Sequence, residues 1–164
     1  MLMAAAIHLW IVPLHWDHAI AHGVLFLTLG TLQVFWSFVF VRKPSVEFSK
    51  WGIYLAGGSI TLWVITRILP APYGHGAKPI TLTGVVTKII EALAIIFLLI
   101  WLRRKISPKK RIKAIIISVV VGIFVYSGGK ISEPLFPGLG SPELHQGHEM
   151  DNHKDNNHHS DSSH

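Results

Sequence analysis

Hydrophobic residues run through this chain in long blocks, and the charges gather between them, which is not how a soluble domain distributes either. The block 19–41 carries no formal charge and, at about 1.5 Å per residue, is long enough to cross a hydrocarbon core of about 30 Å. Residues 51–69 make a second block, interrupted only by Arg67. Residues 81–102 make a third, carrying Lys88 and Glu91, and 112–129 a fourth, with Lys113 at its edge. The pattern predicts an all-α polytopic membrane protein: a four-helix transmembrane bundle over 18–130, with spans at 19–41, 51–69, 81–102 and 112–129.

The flanks differ from the bundle. Residues 1–17, "MLMAAAIHLWIVPLHWD", are apolar but too short to span, and they lack a signal peptide's basic start and cleavage site. They predict a short helix in or dipping into the outer interface, with Trp10 and Trp16 at headgroup depth and Pro13 and Asp17 setting off the first span. From residue 131 the chain turns to Pro and Gly, then to His, Asp, Asn and Ser. Such a stretch cannot bury enough apolar surface to offset the entropy of ordering, so disorder is expected over 131–164.

Charge placement orients the bundle. The net charge is +6, yet seven of the fifteen basic residues sit in "RRKISPKKRIK" (103–113), between two apolar blocks. Such a loop marks the cytoplasmic face and anionic lipid headgroups rather than nucleic acid. The first 41 residues have no Lys or Arg, the next connection has three, and the loop after it has Lys78 alone. This alternation predicts a multi-pass protein of the cell membrane with both termini extracytoplasmic. All eleven histidines (His8, His15, His18, His22, His75, His145, His148, His153, His158, His159 and His164) then face one compartment.

With no cysteine, the chain has no disulfide framework, thiolate metal site or haem attachment. Nothing in it has the form of a nucleophile with its base, a phosphate loop or a nucleotide motif, so no enzyme is expected. The histidines are the metal candidates. On one continuous helix His15, His18 and His22 share a face, the spacing that H-x-x-x-H zinc sites use. The tail adds His145, His148, His153, His158, His159 and His164 beside Glu149, Met150, Asp151 and Asp155, a donor set suited to copper, zinc or nickel. Against these stand blander alternatives: an interfacial helix end bonded to water and headgroups, and a drifting low-complexity tail.

Glu91 lies about ten residues into the third block, where an ionised carboxylate costs roughly 2.5 to 3.5 kcal/mol. Lys88 and Arg67 can both reach toward it, and Gln33 is a further intramembrane polar group. Either the group is an ion pair fixing helix register, or Glu91 is a proton acceptor or ligand at the floor of a cavity. "GGS" (57–59) and Thr61 supply the small residues that let helices approach.

Across residues 4–100 the chain resembles a family of small multi-helix membrane proteins of bacteria and archaea, through "AAAIHLWIVPLHW", "HGVLFLTLGTLQVFWSFVFVRKPS", "WVITRILPAP" and "TKIIEAL". The resemblance implies that His8, His15, Gln33, Trp63, Thr66, Arg67 and Glu91 are the positions that matter, and it implies no reaction. The family commonly has an acidic residue before the second histidine, where this chain has Leu14. The composition and histidine tail also resemble the small accessory subunits proposed around archaeal copper ammonia monooxygenase. Together these features predict an extracytoplasmic metal-binding accessory or delivery protein, with copper as the metal. The alternatives are a small proton- or ion-translocating protein using Glu91 and Arg67, and a structural subunit of a larger membrane complex.

Overall fold

The computed structural model describes residues 1–16, 19–74 and 79–140. All regular structure among them is helical, in the order α1 (Leu2–Trp10), α2 (Val12–Trp16), α3 (Ile20–Arg42), α4 (Val46–Ile68), α5 (Leu82–Leu102) and α6 (Pro108–Ser132). The four long helices fall on the four apolar blocks, and local capping moves their starts. The Ser45 hydroxyl accepts from the Phe48 N–H at 3.2 Å, so α4 begins five residues before the apolar run. Thr81 caps α5 in the same way through Gly84, and Pro108 opens α6 from its first turn. At the far end α6 continues to Ser132, and a 3-10 turn follows at Pro137–Leu139. Regular structure therefore passes residue 131, where disorder is expected, while residues 141–164 lie outside the described ones.

Three helices, α3, α5 and α6, are long and apolar enough to cross a membrane. Although α4 equals α3 in length, its glycines, serines and charged residues dilute its apolar content, so three rather than four helices meet that standard among the described residues. The surface of the bundle fits a lipid solvent. Phe35 and Phe38 of α3, Leu93 and Phe97 of α5, and Val120 and Phe124 of α6 point outward. The buried positions of those helices include Gly23, Gly30, Gln33, Thr87, Glu91, Ser118 and Gly122. Large apolar groups outside and small or polar ones inside are what lipid-embedded helix packing requires. This is a membrane protein.

Helix α4 is the hub, packed against α3, α5 and α6. It runs parallel to α6, with Gly57 and Gly58 on Ser118 and Thr61 on Gly122. A Cβ at Gly122 would stand 2.7 Å from the Gly58 carbonyl oxygen, so the two backbones touch where side chains would otherwise separate them.

The N-terminal segment folds back along α3. Trp16 lies on Gly23, Leu9 and the Ala5 carbonyl lie on Gly30, and Met1 packs against the apolar cluster of Trp36, Ile53, Leu98 and Leu102. Pro13, which has no N–H to give the Leu9 carbonyl, accounts for the break between α1 and α2. Rather than standing apart at an interface, the segment packs lengthwise, with Ala4, Ala5 and His8 buried. Small residues on both sides make this possible, because Gly30 leaves room for the Leu9 side chain. Met1 thus sits toward the Arg42 end of α3, away from the end where Tyr73 meets Ser132.

Candidate functional site

Glu91 is the tenth of the 21 residues of α5 and is 0% exposed. Its Oε1 accepts from His8 Nε2 at 3.0 Å and from Gln33 Nε2 at 2.8 Å. Its Oε2 accepts from Lys88 Nζ at 2.7 Å, and the same ammonium donates to Ser59 Oγ at 2.6 Å. Three side chains, from α1, α3 and α5, therefore converge on one carboxylate, and Ser59 of α4 joins them through Lys88.

Each is delivered by a local pattern. Gln33 shares the buried face of α3 with Gly23, Gly30 and Ser37, the face against which α1 packs. His8 lies one turn beyond Ala4 and Ala5 on the buried side of α1. Lys88 and Glu91 are three residues apart, so they share a face of α5. The nearby hydroxyls of Ser37 and Thr87 bond to the carbonyls of Gln33 and Thr83 in their own helices, so they do not compete for the carboxylate.

The pairing offsets much of the cost of burying charge. Glu91 has a cationic partner and two further donors, and hydrogen bonds to a charged group contribute about 1.5–3 kcal/mol each. Acceptors remain. His8 Nδ1 and Gln33 Oε1 are buried without a hydrogen-bond partner among the described residues. With Nε2–H directed at the carboxylate, His8 Nδ1 is left as an acceptor. The His8 ring stacks on Phe26 at 5.6 Å, and Phe26 meets the His15 ring edge-on at 4.4 Å.

The other candidates go elsewhere. Arg67, expected to reach toward Glu91, makes no ion pair among the described residues; its guanidinium carbon lies 5.1 Å from the centroid of the Trp63 ring. Thr66 donates to the Trp63 carbonyl at 3.0 Å. His15 and His22 do not lie on one continuous helix: α2 ends at Trp16, Ala19 is extended, and α3 begins at Ile20. The shared face that their spacing suggests is therefore lost. His15 Nδ1 donates to the Ile11 carbonyl at 3.1 Å and His22 Nε2 to the Pro72 carbonyl at 2.8 Å. Among the described residues no group of three or more His, Asp or Glu side chains could hold a metal ion. His18, His75, His145, His148, His153, His158, His159 and His164 lie outside the described residues.

Sequence reasoning finds Glu91, Lys88 and Gln33 but not the hand that His8 lends them. The available signals are a histidine in an apolar segment and its place in the family resemblance, and neither names Glu91, 83 residues away, as its partner. Ser59, read only as a small residue, contributes its hydroxyl to Lys88. Comparison with protein-family models, curated proteins and solved structures finds no match to the chain.

Proposed function

We propose that this membrane protein handles protons at the Glu91 centre, with His8 as the exchanging partner. The observation that carries the reading is the fully buried carboxylate joined by one 3.0 Å hydrogen bond to an imidazole whose other nitrogen has no partner among the described residues. Ionisable groups at mid-membrane depth are expensive and default to proton or ion pathways. In this scheme a proton arrives at His8 Nδ1 while the Nε2 proton moves along the existing bond to Glu91 Oε1. Imidazole and carboxylic acid result, and the net gain is one proton. Lys88 stays on Oε2 and Gln33 on Oε1, holding the carboxyl group in place through the exchange. By the distribution of basic residues, the connections 42–45 and 103–107 face the cytoplasm, and the end of α6 at Ser132 the opposite side.

Reconstitution tests this. Purified protein in vesicles loaded with a pH-sensitive dye, driven by a potassium diffusion potential, should pass protons faster than protein-free vesicles. His8→Asn and Glu91→Gln should each lower that rate at least tenfold in protein whose helix content and elution are unchanged. Wild-type flux no greater than in empty vesicles, or undiminished flux in both variants, would leave the centre as a tie between helices. That structural role is the second reading, supported by the four helices that Glu91 and Lys88 together tie to one another. The copper-accessory reading rests on the tail histidines, and metal analysis with and without residues 141–164 tests it.

A further inference from the structure

We propose that Arg67 and Trp63 form a binding site for a phosphate-class anion at the end of α4 that leads into the 69–81 connection. The inference stands independently of proton transfer at Glu91. Arg67 Nε and Nη1 and Trp63 Nε1 are buried and have no hydrogen-bond partner among the described residues. All three atoms are donors and none can accept. Buried donors without an acceptor are costly, so an acceptor belongs against them.

The two residues are built as a unit. They lie four apart on α4, and the guanidinium stands over the indole, 5.1 Å from its centroid, which restrains the fork. The indole Nε1 edge abuts Gly84 in the first turn of α5, where a Cβ would lie 2.9 Å from the nitrogen. Glycine there lets the indole reach the α5 backbone. No carboxylate among the described residues pairs with the guanidinium, because Glu91 is held by His8, Gln33 and Lys88, and Glu47 and Glu133 are paired with Lys50 and Lys130.

The ligand must therefore be negative and rich in acceptors, and a fork of parallel N–H groups fits the oxygens of a phosphate. Arg67 is the second-last residue of α4, and a tryptophan one turn away suits headgroup depth. The phosphodiester of a lipid and free inorganic phosphate share this chemistry.

The test is thermal unfolding of the full chain in neutral detergent at constant ionic strength. It is titrated in parallel with dioctanoyl phosphatidylglycerol, with dioctanoylglycerol lacking the phosphate, and with inorganic phosphate. A rise in midpoint with the phospholipid but not with dioctanoylglycerol assigns a lipid headgroup, and a rise with inorganic phosphate assigns a free anion. In either case Arg67→Gln should weaken the response at least tenfold. Arg103→Gln with Arg104→Gln, at the opposite end, should leave it unchanged. Trp63→Phe keeps a ring on Gly84 and removes only the N–H, so it carries the test if Arg67→Gln fails to fold, and it should weaken binding severalfold. No response to either phosphate probe, or a full response in Trp63→Phe and in folded Arg67→Gln, overturns the site.

Discussion

His8 Nε2 stands 3.0 Å from Glu91 Oε1, across 83 residues of sequence, with both side chains at or below 2% exposure. The contact requires α1 to lie inside the bundle, against α3 and α5. It also gives the carboxylate an imidazole donor in addition to the Lys88 ammonium. An ion pair that served only to fix register would be complete with Lys88 and Gln33. The imidazole adds a second donor to Oε1 and a nitrogen, Nδ1, that has no hydrogen-bond partner among the described residues.

The ion pair can be separated from the proton reading by stability measurements. Glu91→Gln leaves the Lys88 ammonium buried without a counter-charge and should cost about 3–5 kcal/mol. Glu91→Leu combined with Lys88→Met removes both charges, and most of that loss should return. Denaturant titration in detergent, followed by helical circular dichroism, measures both. A loss below about 1 kcal/mol for Glu91→Gln would mean that the pair is solvated rather than buried.

Two glycines of α6 should respond oppositely to substitution. Gly122→Val drives a side chain into Thr61 and the Gly58 carbonyl, and overpacking of this kind costs about 1–3 kcal/mol. Gly128→Ala meets nothing within 4 Å, so the gain in helix propensity should make it neutral or stabilising by up to about 1 kcal/mol. Equal effects at the two positions would argue against the close α4–α6 contact.

The long helices are legible in the sequence because apolar blocks bounded by Ser, Thr and Pro leave little choice of secondary structure. Glu91, Lys88 and Gln33 are legible for a related reason, since polar groups inside such blocks are costly and stand out. Partners were harder to read. Residues 1–16 are too short to span, and nothing local shows that Ala5 and Gly30 create a seat for them on α3. The histidine spacing misleads because His15 and His22 belong to different helices, α2 and α3, a boundary that periodicity cannot detect. Arg67 was within sequence reach of Glu91, but Lys88, three residues from it on the same helix, takes the free oxygen.

His22 should behave as a strut. Its Nε2–H holds the Pro72 carbonyl, while Tyr126 holds the Pro70 carbonyl and Tyr73 bonds to Ser132. Removing one such bond costs about 0.5–1.5 kcal/mol. In a His15→Ala, His22→Ala variant, hydrogen exchange at residues 69–74 should quicken while copper stoichiometry stays that of the parent. Loss of one equivalent of tightly bound copper would restore these histidines as ligands.

The placement of α1 along α3 can be tested covalently, because the chain has no cysteine of its own. A Cβ at Gly30 would lie 2.7 Å from Leu9 Cγ, which puts the Cβ positions of residues 9 and 30 within range of a disulfide. Oxidising a Leu9→Cys, Gly30→Cys variant in membranes should close the bond in most molecules, visible as a mobility shift on non-reducing gels. Pairing Leu9→Cys with Phe38→Cys instead should give little product, since Phe38 is 55% exposed on the outer surface of α3. The closed Cys pair should also leave the Glu91 centre assembled, because His8 keeps its place beside residue 9. If both pairs cross-link equally, or neither does, the N-terminal segment does not dock on α3, and the 3.0 Å contact between His8 and Glu91 falls with it.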